Sequence, residues 1–453
     1  MRNPPPDLGR RGASSAPTKP YILSTPDWRP SLDSSANRSA GDLAQGFLRL
    51  LTPRRVLAQA LVLALCLWGV CAADFATPTL FDRAGNIKFQ DFLPVYISAR
   101  LITQHRAADL YDPHIEAGEL HSIIHRPTGV QVPNLYGPQV GLLFFPLAKL
   151  SFSAAALLWA AISVLIYFAC IYAIRTRCLH IRSNRTIFLS AIAFPPLFHF
   201  FLRGQISPLL LLAFTLAFLA LSAERPFLAG LALGLLFLKP QFLIAIPLIL
   251  YLSRSWKLLA GLILSATAQL AIVAAFLGPA ALRRYLNLLL NTPHWIDSAE
   301  LSLAPIQMHS LRSFWTLLIP SSAVAATLYV FTAIFVIALA TAIWKSSAPL
   351  VLRFSALTLA AVLVDPHLFI YDLIVLAPVF LLLFDWTLEY PREPFTPILQ
   401  VLLYLSFILP LFGPLARWSH LQLSVPVFVA LLWALYRLTT PSHKLASAES
   451  SVV

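Results

Sequence analysis

Asp91 stands in the segment Gln90-Asp91-Phe92-Leu93-Pro94-Val95-Tyr96, within a polar stretch from Asp74 to Gly137 that separates one apolar run from a long series of others. A carboxylate beside a bilayer can take a proton from a hydroxyl at the water boundary, which is general-base chemistry on a lipid-borne substrate. Asp91 also suits a helix N-cap, because Leu93, Ile97 and Leu101 follow it at helical spacing. The two roles are compatible, since a cap occupies one carboxylate oxygen. Arg203 and Lys239 each interrupt an apolar stretch, where an unpaired cation costs roughly 2.5 to 3.5 kcal/mol on insertion scales. Either they snorkel to headgroups at helix ends, or they clamp an anionic group such as a lipid phosphate. Asp365-Pro366-His367 precedes Tyr371-Asp372, which puts His367 and Tyr371 one helical turn apart. Capping accounts for Asp365 and leaves His367 unexplained.

Other polar residues of the first loop read more plainly. Asp109 and Asp112 flank Leu110-Tyr111 and precede Pro113, which is turn chemistry. His114, Glu119, His121 and His125 are loosely spaced for a metal, and HExxH is missing, so no metal site is expected. Gly-rich phosphate loops and nucleotide fingerprints are missing too, and no cofactor is expected. Cys66, Cys71, Cys170 and Cys178 show no metal or redox spacing.

These residues need a frame to hold them, and composition says which kind. Of 453 residues, 58% are hydrophobic and 12% charged, with a mean hydropathy of +0.74, against about 25% charged in soluble domains. The spacing predicts an all-α, polytopic membrane bundle of about 12 spans: 56–73, 153–174, 187–202, 206–222, 226–238, 240–253, 257–278, 323–344, 348–364, 368–386, 396–414 and 422–438. The run Gln139 to Leu150, broken by Pro138 and Pro146, reads as re-entrant or interfacial.

The net charge of +13 does not point to nucleic acid, because nine Lys and Arg against four acids fall in residues 1–55, just before the first span. That is positive-inside bias. The segment also holds eight prolines and reads as a disordered cytoplasmic tail. With it inside, the 74–137 loop, carrying five basic and seven acidic residues, lies outside, and the Arg175 to Arg185 loop, with four arginines and no acid, lies inside. The membrane domain then covers 56–438, residues 439–453 form a second cytoplasmic tail, and the chain sits multi-pass in the cell membrane. A rival count crosses at Gln139 to Leu150 and fuses 226 to 253, which would turn the Arg175 loop outward. Charge favours the first count. It collects the first loop, Arg203-Gly204-Gln205, Lys239-Pro240-Gln241, the loop Pro279 to Ser313 and Asp365-Pro366-His367 on one face, as breaks in helices do around ligands.

From about Val56 to Arg437 the chain resembles the integral-membrane glycosyltransferases of family 87, in the C-type superfamily that uses polyprenyl-phosphate-linked sugars. The matching pieces are Asp91 with Tyr96 and Ala99, Leu110-Tyr111-Asp112, Tyr136-x-Pro138 and Pro146-Leu147-Ala148. They continue with Leu158-Trp159, Gly204-Gln205, Gly230 with Lys239-Pro240, and Pro366-His367 with Tyr371-Asp372. Each is short; their order together is specific. Two departures are Tyr136-Gly137-Pro138 where the family often has Tyr-Pro-Pro, and Asp365 in place of a small residue before Pro-His. The resemblance implies that a hexose, most readily mannose, passes from a polyprenyl-phosphate donor to a lipid or glycan acceptor outside the cytoplasm, with inversion and with Asp91 as base. Tyr96, Tyr136, Arg203, Gln205, Lys239, Gln241, His367 and Tyr371 are expected to line the substrates; Arg203, Lys239 and His367 are placed, from their positions, as positive groups for the leaving phosphate. A transporter or flippase of lipid-linked sugars is the alternative, and a scaffold without chemistry a third reading.

Overall fold

The structure, a computed structural model, describes residues 35–125, 134–291 and 305–439. Every apolar run of the sequence falls on helix, and two of the long helices start with a side-chain cap for their first backbone N–H groups. Thr52 accepts from Arg55 N ahead of α2 (Pro53–Phe75), whose first residue is proline, and Ser151 accepts from Ala154 N ahead of α6 (Phe152–Arg175). Six helices are long and apolar enough to cross a membrane: Pro53–Phe75, Phe152–Arg175, Trp256–Leu277, Ser322–Lys345, Ile370–Glu389 and Thr396–Ser419. A seventh forms if the pair α7 (Asn184–Ile192) and α8 (Pro195–Arg203), bent by 45°, counts as one span. The remaining runs form five shorter apolar helices: α9 (Ser207–Ser222), Pro226–Leu238, Pro240–Leu252, Leu350–Val364 and Ser424–Thr439. The fold is therefore all-helical among the described residues.

The amino-terminal segment departs from the expected disorder. Residues 35–50 form helix α1 (Ser35–Leu50), and Phe47 meets Tyr404 edge-on with ring centroids 6.0 Å apart. The chain carries an amphipathic repeat there that can lie along a bundle, and seven of the eight prolines that suggested disorder precede it. Residues 1–34 and 440–453, where the rest of the two tails was expected, and 292–304 of the later loop lie outside the described residues.

Four short helices build the first loop and its exit. These are α3 (Leu93–Thr103), α4 (Pro113–Ile124), α5 (Pro138–Phe144) and a 3-10 turn Phe145–Lys149. Phe92, Leu93, Val95 and Ala99 of the loop pack with Val140, Phe144, Ala155 and Trp159 into a core of their own. The stretch 138–149 is thus a short helix buried against α3 rather than a crossing. Arg106 bonds Asp109 at 2.7 Å and Glu119 at 2.9 Å, tying the loop's turns together.

Elsewhere the packing is closer still. α10 (Pro226–Gly234) lies on α12 (Trp256–Leu277) so tightly that a Cβ at Gly230 would overlap the Leu258 carbonyl, and one at Gly261 the Phe227 carbonyl. At the opposite end from the first loop, Asp385 holds the loop after α6 by accepting from Leu179 N (3.1 Å), His180 N (2.7 Å) and Ile181 N (2.9 Å). The arginine-rich loop and the acidic loop therefore sit at the two ends of α6, as the charge pattern predicts.

Candidate functional site

Four interruptions of helix converge at one end of the bundle. α8 stops at Gly204, whose φ of 71° is left-handed backbone that a side chain would oppose; a Cβ there would also stand 2.8 Å from Phe92 Cβ. The chain therefore turns sharply, and Trp159 Nε1 donates to the carbonyls of Gly204 (3.2 Å) and Gln205 (3.3 Å), locking the turn. Gln205, 3% exposed, becomes the hub. Its Nε2 donates to Asp91 Oδ2 at 2.7 Å, and its Oε1 accepts from Tyr136 OH at 2.7 Å and from Lys239 Nζ at 3.2 Å. Asp91, Tyr136, Gln205 and Lys239 are thus one connected group drawn from distant parts of the chain.

Asp91 does not cap a helix. The N-cap of α3 is Phe92, with no side-chain cap bond, and the 3-10 turn Gln90–Phe92 starts from Phe89 in left-handed backbone (φ 56°). Its carboxylate is 20% exposed, and Arg203 Nη1 lies 3.9 Å from its Oδ1. Burial pushes this carboxyl above the ordinary range, while Arg203, the Gln205 bond and Lys239 pull it down. A partly exposed carboxylate held from one side by a neutral amide keeps its other oxygen available for a substrate hydroxyl. Burial also raises the Tyr136 hydroxyl well above its usual range, so it stays a donor to Gln205.

Lys239 has a partner that the sequence reading did not assign. Its Nζ donates to Asp372 Oδ1 at 2.7 Å, with side chains 6% and 1% exposed, and Ser207 Oγ donates to the same oxygen at 2.6 Å. The ammonium also stands 4.9 Å from the ring centre of Tyr371 and 5.9 Å from that of Tyr136. A buried cation without a counter-ion is costly, and this was the available signal: Asp372 is an intramembrane carboxylate one residue beyond Tyr371. Lys239 is thus buried inside the bundle rather than snorkelling, and its charge is matched. Arg203, with a side chain 43% exposed, is the cation better placed for an incoming anion.

The other expected residues divide. Tyr371 stacks on Phe369 at 5.3 Å and lies under Lys239. His367 is half-buried beside Phe369, and burial lowers its imidazole to about 4, so near neutral pH it offers a hydrogen bond rather than a positive charge. Asp365, fully buried, turns back to accept from His367 N at 2.7 Å, so its first carboxylate oxygen serves the local turn. Gln241 is half-buried two residues past Lys239 and carries no side-chain hydrogen bond among the described residues. Tyr96 is directed elsewhere: its hydroxyl donates to the Leu150 carbonyl at 2.7 Å and its ring packs edge-on against Phe152 at 5.5 Å. Gly137 has a steric reason, because a Cβ there would overlap the Gln139 amide, which donates to the Phe237 carbonyl at 3.0 Å. In the first loop, Asp112 caps α4 through His114 N and Ile115 N, and Glu119 pairs with Arg100 and Arg106.

The first loop and the broken helices together gather two carboxylates, a buried ammonium and a half-exposed guanidinium at one end of a polytopic helical bundle, and costly charge of this kind within a membrane protein marks a functional site. The family model of glycosyltransferase family 87 matches residues 134–366, just over half of the chain, and the chain belongs to that family. It is a membrane glycosyltransferase by membership. The matched range holds Tyr136, Arg203, Gln205 and Lys239 and stops short of Asp91, His367, Tyr371 and Asp372. No curated protein and no solved structure matches the chain.

Proposed function

We propose that this protein transfers a hexose, mannose foremost, from a polyprenyl phosphate to a hydroxyl of a lipid or glycan acceptor at the extracytoplasmic face of the cell membrane. The observation that carries this reading is the pinning of Asp91 by Gln205 at 2.7 Å, at the bundle end opposite the arginine-rich loop. In the reaction, the acceptor oxygen attacks the anomeric carbon while Asp91 takes its proton. The bond from that carbon to the phosphate oxygen breaks, and polyprenyl phosphate departs with the electron pair. A single displacement inverts the anomeric centre. Arg203 faces the leaving phosphate, Lys239 holds Gln205 and Asp372 in register, and Tyr136 fixes the amide that orients the base. The shorter apolar helices complete about twelve crossings, with both termini cytoplasmic.

The test uses the purified full chain in lipid with a labelled polyprenyl-phosphate mannose and candidate acceptors. Asp91→Asn removes the base but keeps the shape, and transfer is expected to fall on the order of 10²- to 10⁴-fold with donor binding retained. A near wild-type rate in that variant removes Asp91 from the mechanism. Movement of donor across a vesicle wall without transfer would instead support a transporter.

A further inference from the structure

We infer that the cleft between the Tyr111-Asp112 turn and helix α13 (Pro279–Asn291) binds a sugar ring of the acceptor; this rests on the proposed transfer reaction. The cleft has a volume of about 250 Å³ and is lined by Tyr111, Asp112, Arg284, Asn287 and Asn291 among others. Room of that size suits a single sugar ring. The lining chemistry suits hydroxyls: Arg284 and the two asparagines donate, and the asparagine carbonyls and Asp112 accept. Asp112 spends Oδ1 on both of its cap bonds, to His114 N at 2.9 Å and Ile115 N at 3.3 Å, so Oδ2 remains for a ligand.

Helix α13 sets the height of this cleft. Arg284, Asn287 and Asn291 recur at helical spacing on one face, while Leu286, Leu289 and Leu290, 56%, 44% and 69% exposed, occupy the opposite one. A helix with bare leucines on one side and a polar cleft on the other lies in the membrane interface. The head of a lipid-anchored acceptor sits at that depth. The cleft wall also connects to the site: Tyr111 OH donates to the Tyr136 carbonyl at 2.9 Å, and Tyr136 OH holds Gln205, which holds Asp91. Tyr285, from the same helix, packs against Tyr111 with centroids 5.5 Å apart and donates to the Leu135 carbonyl at 3.4 Å. The cleft wall is thus joined to the base through Tyr136 and Gln205.

The full chain in nanodiscs is titrated with methyl α-mannoside, methyl α-glucoside and methyl α-galactoside, with binding read by saturation-transfer NMR. At least one glycoside is expected to bind. Arg284→Ala combined with Asn287→Ala should weaken it about tenfold, the loss of one or two hydrogen bonds, while Arg283→Ala, just off the cleft, leaves it unchanged. Melting temperatures control for folding. If none of the three glycosides binds, or the double variant binds as the wild type does, the cleft is not a sugar site. Should the cleft variants lose glycoside while the wild type never transfers sugar from polyprenyl phosphate, the cleft stands and the transfer reaction falls.

Discussion

Asp91 shows that a side chain with an ordinary local explanation can find its partners elsewhere in the chain. A capping aspartate would spend its carboxylate on backbone N–H groups, whereas this one faces the amide of Gln205 and the guanidinium of Arg203. Because burial raises its carboxyl, the ionised form that the proposed reaction needs is lost as pH falls at a value above the usual carboxylate midpoint of about 4. The rate of transfer should therefore drop on the acid side with a midpoint above that figure. Arg203 favours the ionised form, so Arg203→Gln should move the midpoint upward and weaken donor binding; pH profiles of kcat/KM for both proteins check this. A downward shift would show that Arg203 does not act on Asp91. Asp91 was legible as a candidate because it is a carboxylate in a polar loop. Its hydrogen-bond partner was not, since Gln205 is 114 residues away.

The elements that matter most here are the interrupted ones. Pro226–Leu238 and Pro240–Leu252 are both short, and the break between them places Lys239 against Asp372 at the start of another helix. Removing one member of a buried pair strands the other, at about 3 to 5 kcal/mol. Lys239→Ala should thus lower the melting temperature sharply and abolish transfer, and Asp372→Asn should restore part of the stability without the activity. If the single variant melts like the wild type, the pair does not hold the breaks in place. A second element-scale test concerns packing. Gly230→Val would press its side chain into the Leu258 carbonyl, so α10 and α12 must separate; overpacking of this kind typically costs 1 to 3 kcal/mol. Thermal unfolding in detergent reads that loss, and an unchanged midpoint would mean the helices part freely.

At the scale of the molecule, charge and site lie at opposite ends. The loop held by Asp385 carries exposed Arg182 and Arg185, while the first loop carries exposed Arg83 and the chain leading to Asp91. With Cys66, the exposed cysteine, changed to Ser, a cysteine at Arg182 should react with an impermeant maleimide only after the membrane is opened. One at Arg83 should react on intact cells. The reverse pattern would turn the whole bundle over and bring Asp91 to the cytoplasm. The amphipathic α13, with its bare leucines, belongs to the outer interface in this orientation.

What the amino-acid order determined alone were properties of local stretches. Apolar length and the want of charge dictated helices, and Thr52 and Ser151 mark where two of the long ones start. Short-range patterns suffice because the hydrocarbon core demands internal backbone bonding within each segment. What only the tertiary structure decided were the pairings: that Gln205 joins Asp91 to Lys239, that Asp372 and not a substrate answers the lysine, that Tyr96 serves Leu150, and that residues 35–50 fold as a helix. Each depends on which parts of the chain meet in the bundle, and that is a property of packing between segments that no single segment contains.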